Sequence, residues 1–563
     1  MRLSTDESRD EERALQTVAA AAEAGMTVFD TAHSYGRGEH ELGHNERLLA
    51  RALRRCGAAE TARIVTKGGM ARNAGTWIPD GRARTIRTDC EASLIALDGL
   101  PIDLYLIHAP DPRTPWPTTV RALGRLVDEG FVHRVGVANV NRRLLDVALE
   151  LAPIAAVQVA LSPFDVAGIR GGVLERCDER GIALVAHSPL GGTPRAARLA
   201  RHEALIAVAQ AHRATASEIA LAWLLALAPN VVAIPGARRP ETARSAARAA
   251  AIALAAGERE RLDRALDIPR TRVGQAQPRR DGEVVVVMGI PGAGKTRAAE
   301  EYVGRGYVRL NRDERGGSLR ELAAALDDEL ASDVSSIVLD NTYLTRASRS
   351  FVVEIAGRHG VAARCVWLDT PLAQAQVNLV ERLLDRFGSL PSPDELRALA
   401  KNEQGVVAPT SQMRALRELE PPAVDEGFAT VEQLSFAREP AKCSRAGVLV
   451  AAAAVTAPRF AEALEQIDAE APCLVFDWNA DGSGDAVSAA AAVLETKVPG
   501  PVESALCPHG GGPPKCWCRP PLPGLALAFA RAHKVAPARS LLVGTGTAHR
   551  TLARTLGARY VEV

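Results

Sequence analysis

Lysine is scarce in this chain: seven of its 68 basic residues are Lys and the rest are Arg. Where Arg is the default base, a Lys marks a place that needs a compact ammonium instead of a planar guanidinium. Lys67 ends the strand-like "RIVTK", and three other reactive side chains sit at comparable points: Asp30 in "VFDTAHSYG", Tyr35 five residues later, and His108 ending "DLYLIH". A phenol is a weak acid near neutral pH, a neighbouring ammonium stabilises its phenolate, and a carboxylate holds the ammonium in place. Such a group could protonate a carbonyl oxygen as hydride reaches carbon.

Lys295 ends a second pattern. "GIPGAGKT" fits G-x-x-x-x-G-K-[ST], with Gly289, Gly292, Gly294, Lys295 and Thr296 at the chemically demanding places. The glycines let backbone N–H groups turn toward phosphate oxygens, Lys295 reaches the β and γ phosphates of ATP, and Thr296 supplies a Mg2+ ligand. Downstream, Asp313 follows "GYVRLN", and Asp340, Asn341 and Thr342 follow the apolar "SIVL". A carboxylate beyond a strand end can accept the proton of an attacking hydroxyl.

A third cluster, "CPHGGGPPKCWC", offers Cys507, His509, Cys516 and Cys518 within one loop. Four borderline-soft ligands at this spacing suit tetrahedral Zn2+. The other six Cys are scattered, as expected of reduced thiols in a cytoplasmic protein.

These residues need elements to position them. Residues 1–268 alternate short apolar strands ("MTVFD", "ARIVTK", "DLYLIH", "RVGVAN", "AVQVAL", "ALVAHS", "VVAIPG") with amphipathic helical stretches, the rhythm of a parallel α/β barrel or sheet. Residues 269–282 read as a linker, 283–436 as a second α/β domain around the phosphate loop, 437–446 as another break, and 447–563 as a third domain. A net charge of +1 over 563 residues excludes a global field for nucleic acid or membrane, and no apolar run is long enough for a bilayer.

The first domain resembles the aldo-keto reductases through "FDTAHSYG", "TKGGM", "LYLIHAPD", "GVANVN", "VQVALSPF", "AHSPLGG" and "IPGARRPE". The resemblance implies a (β/α)8 barrel, here lacking its first strand, an Asp30, Tyr35, Lys67 and His108 tetrad, and NADPH as reductant. It also implies that Asn139 and Gln158 hold the nicotinamide amide and that Arg238 or Arg239 faces the adenosine phosphate. His187 stands where many members carry a Tyr that stacks on nicotinamide.

The second domain is similar to the kinase half of polynucleotide kinase-phosphatases through the phosphate loop, "GYVRLNRD", "DNTYLTRASR" and "ARCVWLDTPLAQAQVN". That likeness implies a P-loop parallel sheet, Asp313 as general base, Asp340 with Asn341 and Thr342 toward a 5′-hydroxyl acceptor end of DNA or RNA, and Arg382 or Arg386 closing over ATP. Kinases of small hydroxylated metabolites share the loop and the early Asp, so that acceptor class stays open.

The third domain looks like the zinc-bearing phosphatases of the haloacid dehalogenase type, with a Rossmann-like sheet. Its "AGVLVAAAAV" lacks the paired Asp of that family, and Pro520 and Thr545 replace its Lys and late acid. Without nucleophile, cation or magnesium ligand, phosphoryl transfer has no means of proceeding. The whole reads as a carbonyl reductase joined to a kinase and a catalytically silent zinc domain, with the barrel and zinc domain acting as scaffolds in a further reading.

Overall fold

A computed structural model of the chain describes residues 2–73, 75–268, 281–332, 334, 336–435, 443–466, 468 and 470–563. Both predicted linkers lie largely outside these residues. Among those described, no helix is long and apolar enough to cross a membrane.

Seven parallel strands line the first compact unit: β1 (Val28–Asp30), β2 (Arg63–Gly68), β5 (Leu104–Ile107), β6 (Val135–Ala138), β7 (Ile154–Ala160), β8 (Ala183–His187) and β9 (Val231–Ile234), in that spatial order. A two-stranded antiparallel hairpin, β3 (Met70–Asn73) with β4 (Thr76–Pro79), rises directly after β2. Residues 64–68 of β2 are buried in succession, as they must be in a parallel sheet covered on both faces. β1 and β9 form the two edges of this nearly closed barrel. Helix Glu11–Glu23, which precedes β1, packs on helix Pro240–Ala249, which follows β9. Leu15 and Val18 of the first share the core with Ala243 and Ala249 of the second, so small residues let two helices cover the region between the sheet edges.

Every strand read from sequence in this unit is present. The strand ends gather the reactive side chains: Asp30 ends β1, Lys67 is the second-last residue of β2, His108 follows β5, Asn139 follows β6 and His187 ends β8. This is the end of a parallel barrel where catalytic groups are found.

The second compact unit contains two parallel sheets. One has the order β11 (Val308–Leu310), β12 (Ser336–Asp340), β10 (Glu283–Met288), β13 (Ala362–Asp369), β14 (Thr430–Ser435). The other has the order β17 (Val502–Cys507), β16 (Cys473–Trp478), β15 (Val448–Ala451), β18 (Leu541–Gly544), β19 (Arg559–Glu562). β10 and β15 are central in their sheets and almost wholly apolar, since burial on both faces leaves no place for a polar alternate residue.

Sequence patterning suggests two domains here, yet they share a core. Val377, Val380, Leu383 and Leu384 of helix Leu372–Phe387 belong to the same hydrophobic cluster as Val448, Phe529 and Leu552. Periodicity identifies a helix's apolar face without saying which sheet that face covers. Helix Leu372–Phe387 therefore links the phosphate-loop sheet to the C-terminal sheet.

Candidate functional sites

In the barrel, Lys67 is fully buried and its Nζ donates to Asp30 Oδ1 at 2.6 Å, to the Thr31 carbonyl at 2.8 Å and to Tyr35 Oη at 3.5 Å. Burial opposes the ammonium charge, but Asp30 and Tyr35 more than offset it, so the Lys67 pKa rises. Asp30 Oδ2 accepts from Gln158 Nε2 at 2.8 Å, which leaves both carboxylate oxygens engaged. The Tyr35 ring meets His108 edge-on, with centroids 5.6 Å apart.

One electrostatic detail differs from the expectation that Lys67 eases loss of the Tyr35 proton, and the state of His108 adds a second. Burial raises the Tyr35 pKa despite the attraction of Lys67, so the resting group is a neutral phenol rather than a phenolate. His108 is pushed down to about 3 by burial, Lys67 and His187, and is a neutral imidazole at any working pH. Both changes suit an acid that donates its proton only when negative charge develops beside it.

Asn139 and His187 form a linked rim. Asn139 Nδ2 donates to the His108 carbonyl at 2.9 Å, and its Oδ1 lies 3.0 Å from His187 Nε2. Asn139 and Ser188 hold left-handed backbones, with φ of 56° and 51°, a conformation that non-glycine residues adopt at a cost and that clusters at functional sites. Of the two Arg expected at the adenosine phosphate, Arg238 is paired with Asp6 at 2.6 Å. Arg239 stands exposed at the N-terminus of helix Pro240–Ala249, where backbone N–H groups favour an anion.

Sequence reading missed the hairpin. Trp77 of β4 is 37% exposed, and its ring centroid lies 6.1 Å from Tyr35 and 5.9 Å from His108. Arg72, its cross-strand partner on β3, stacks over the indole at 3.9 Å. The only sequence signal is a Trp among polar residues soon after the Lys67 strand.

In the second unit, β10 runs into the phosphate loop, and Gly292 and Gly294 have φ of 87° and 94°. A Cβ at Gly292 would lie 2.3 Å from the Ala375 carbonyl oxygen, so helix Leu372–Phe387 seats closely on the loop. Three side chains brace the loop carbonyls: Asn378 Nδ2 on Gly292 at 2.8 Å, Thr370 Oγ1 on Ala293 at 2.9 Å and Gln412 Nε2 on Pro291 at 3.0 Å. With its carbonyls held outward, the loop can aim its N–H groups at phosphate oxygens. Lys295 Nζ folds back on the Ile290 carbonyl at 3.0 Å, and burial lowers its pKa to about 8. Asp340 and Asp313 resist that shift and the Arg382 charge adds to it.

The downstream carboxylates separate. Asp340 is buried, paired with Arg309 Nη2 at 2.6 Å, and accepts from Asn311 Nδ2 at 3.1 Å. Oδ2 of Asp340 takes both of these bonds, which leaves Oδ1 for the acceptor-facing role expected of this residue. Asn341 accepts from the Arg312 N–H at 3.2 Å, and the Thr342 carbonyl accepts from the Gly289 N–H at 3.4 Å. Asn311 caps the short helix Arg312–Arg315 by accepting the Asp313 N–H at 2.7 Å, which fixes the exposed Asp313 carboxylate at the helix start. The two lid candidates separate as well. Arg386 is tied to Glu403 and to the Gln404 carbonyl, whereas Arg382 lies exposed and close enough to depress Lys295.

In the C-terminal sheet, Cys507, His509, Cys516 and Cys518 bring their ligand atoms within 4.8 Å of one another. The individual separations include 3.3 Å for Cys507 to Cys518 sulfurs, 3.6 Å for Cys507 to Cys516, and 3.2 Å from His509 Nδ1 to Cys518 Sγ. A tetrahedron with Zn–S near ~2.3 Å has edges of roughly 3.8 Å, so this donor set fits zinc after a small outward adjustment. Trp517 between the last two Cys is 2% exposed and donates from Nε1 to the Val407 carbonyl at 3.0 Å, so it is a packing residue. Arg519 stacks on Trp478 at 3.8 Å and donates to the Gly512 carbonyl. β15 ends in Ala451 and is followed by Ala452, while Asp477 lies on the neighbouring β16 and accepts its own neighbour's N–H, from Trp478. Asp481 lies in the exposed turn beyond β16.

Comparison with known proteins follows the same division. Residues 1–267 match the aldo/keto reductase family, and residues 284–398 match a family described as AAA domain. The aldo-keto reductase str7 of Strobilurus tenacellus is 32% identical over 259 residues, covering 41% of this chain and 74% of its own length. Among solved structures, a thermostable aldo-keto reductase with the inhibitor epalrestat is 35% identical, with 46% of this chain and 90% of that chain covered and a TM-score of 0.40. An aldo-keto reductase from Klebsiella pneumoniae in complex with NADPH is 27% identical, with 48% and 89% covered and a TM-score of 0.41.

Proposed function

Because residues 1–267 make this chain a member of the aldo/keto reductase family, we propose that its barrel reduces a carbonyl compound and that its P-loop region transfers phosphate from ATP to a hydroxyl group. The observation that carries the first half is Lys67 bound to Asp30 and within reach of Tyr35.

Asn139 and Gln158 would hold the nicotinamide of NADPH, His187 would flank it, and Arg239 at its helix N-terminus would meet the adenosine phosphate. The bound dinucleotide supplies hydride. Tyr35 Oη donates a proton to the carbonyl oxygen, and Lys67 stabilises the phenolate left behind. Asp30, itself oriented by Gln158, keeps Lys67 charged and in place. Neutral His108 orients the carbonyl without competing for the proton.

In the kinase region, the loop N–H groups and Lys295 bind the ATP phosphates, Thr296 offers its hydroxyl to Mg2+, and Arg382 closes from helix Leu372–Phe387. Asp313 accepts the proton of the attacking hydroxyl, while Asp340 with Arg309 and Asn311 positions its short helix. The acceptor we favour is a 5′-hydroxyl end of RNA or DNA, a choice that rests on the likeness of "NRD" and "DNT" to polynucleotide kinases. The C-terminal domain binds zinc through Cys507, His509, Cys516 and Cys518 and has no phosphatase activity. The assay is transfer of labelled γ-phosphate from ATP to 5′-hydroxyl oligonucleotides and, in parallel, to sugars and nucleosides. Labelling of small metabolites alone would replace the polynucleotide reading with a metabolite kinase.

A further inference from the structure

Arg72 carries a charge that nothing described in the structure neutralises. It is 9% exposed, and its Nε and Nη1 atoms are buried without a hydrogen-bond partner among the described residues. Nη2 reaches only the Arg37 carbonyl, at 3.2 Å. Glu41, in the short helix beside β3, is engaged with Arg9 at 2.7 Å, and Asp80, directly after β4, with Arg82 at 2.5 Å. An unpaired buried guanidinium is costly, and stacking on Trp77 offsets only part of that cost. The position is also a functional one, because the indole that Arg72 covers meets Tyr35 edge to face and His108 at a tilt of 60°.

We propose that Arg72 recognises an anionic substituent, a carboxylate or a phosphate monoester, carried by the carbonyl substrate of the barrel. The inference rests on the reductase reading and adds to it the substrate's charge. Trp77 packs on the apolar part of that substrate and holds the guanidinium plane, so that the Nη2 N–H not given to the Arg37 carbonyl, together with the unpaired Nε or Nη1, presents the parallel N–H pair that grips two oxygens of one anion. The carbonyl then lies toward Tyr35 Oη. Cross-strand pairing of Arg72 with Trp77 fixes the spacing between the anion and the reacting carbon.

The test follows NADPH oxidation by the full chain with matched aldehydes: 4-carboxybenzaldehyde against benzaldehyde for the carboxylate, and glyceraldehyde 3-phosphate against glyceraldehyde for the phosphate. We expect kcat/KM to favour at least one anionic member over its neutral counterpart, and the preferred pair identifies the anion. Arg72→Met should lower kcat/KM for that anionic member by roughly 10- to 100-fold, mainly through KM, and leave the neutral one within about twofold. Arg72→Lys should restore part of the loss. Equal loss on both members of a pair, or no preference in the wild type, would overturn the proposal. Calorimetric titration with benzoate and with inorganic phosphate decides it independently of turnover. If no aldehyde is reduced, the reductase reading falls, while weaker anion binding by Arg72→Met than by wild type still supports the role of Arg72 and equal binding refutes it.

Discussion

Lys67 Nζ lies 2.6 Å from Asp30 Oδ1, and this pair joins the ends of two adjacent barrel strands. Lys67 is fully buried and the Asp30 side chain is 10% exposed, so removing one leaves the other's charge poorly solvated. Breaking such a pair typically costs about 3–5 kcal/mol. Lys67→Met should therefore lower the melting temperature of the barrel and reduce carbonyl turnover by roughly 10²- to 10⁴-fold, the usual worth of a positioned acid. The double variant Lys67→Met with Asp30→Asn should recover stability but not turnover. Recovery of both would show that the pair serves folding alone.

His108 gives a prediction about pH. An imidazole held near 3 stays neutral down to well below pH 5, and Tyr35 titrates above its ordinary value of 10. Reductase kcat/KM should then show no inflection near pH 6.5, the pKa of an ordinary His. The linkage sign is also defined. As pH falls below about 6.5 the unfolded chain takes up a proton at His108 that the folded barrel refuses, so stability declines toward pH 3. From pH 8 to pH 4 the melting temperature of the wild type should fall relative to that of His108→Gln, since only the wild type pays this penalty in acid.

Lys295 titrates in the accessible range. Its pKa is about 8 in the resting loop, and phosphate oxygens favour the charged form, so ATP binding draws a proton from solvent above that pH. Affinity should be steady below pH 8 and weaken by up to about tenfold per pH unit above it. Calorimetry at pH 8.5 in buffers of different ionisation enthalpy should detect the uptake, and Lys295→Arg should abolish it. A pH-independent affinity with no proton uptake would place Lys295 outside the phosphate contact.

How much of this was legible in the sequence depends on how the chain specifies each contact. Asp30, Lys67 and His108 stand at the ends of apolar runs, and parallel strands place such ends together, so period and residue type suffice to gather them. Gly292, Gly294 and Lys295 are readable because backbone shape and phosphate chemistry demand those types at fixed spacing. Arg72 and Trp77 escaped because two four-residue strands show no period, and the cross-strand register emerges only from the folded hairpin. The Arg238–Asp6 pair and the Trp517–Val407 bond, separated by 232 and 110 positions, carry no local signal at all. Arg382 and Arg386 occupy one helix a turn apart, and only the position of Glu403 distinguishes them.

The zinc loop and the phosphate loop are connected by a short physical path. Trp517 donates to the Val407 carbonyl, helix Pro409–Glu418 begins two residues later, and its fully buried Gln412 donates to the Pro291 carbonyl. Bound zinc would hold Trp517 between Cys516 and Cys518. Removing it with a chelator should lower the melting temperature of the second compact unit, leave that of residues 1–272 unchanged, and weaken ATP binding. Elemental analysis should give one zinc per chain, falling to none in Cys516→Ser. Trp517→Ala should weaken ATP binding with zinc still bound, a result that a purely local metal site would not produce.

Gly292 and Gly294 offer a sharper test of the phosphate loop, because the same substitution meets two different surroundings. Both glycines have positive φ, so an added Cβ costs each roughly 1–2 kcal/mol in backbone strain. At Gly294 that is all, since no atom lies within 4 Å of the new Cβ. At Gly292 the Cβ would meet the Ala375 carbonyl oxygen at 2.3 Å, and the loop must move away from helix Leu372–Phe387 to relieve the clash. That movement breaks the Asn378 bond to the Gly292 carbonyl and turns the adjacent N–H groups off their aim. Gly292→Ala should therefore abolish ATP binding measured by calorimetry, while Gly294→Ala should weaken it by roughly 5- to 30-fold, the range set by strain alone. Equal effects at the two positions would mean that helix Leu372–Phe387 does not seat on the loop during nucleotide binding.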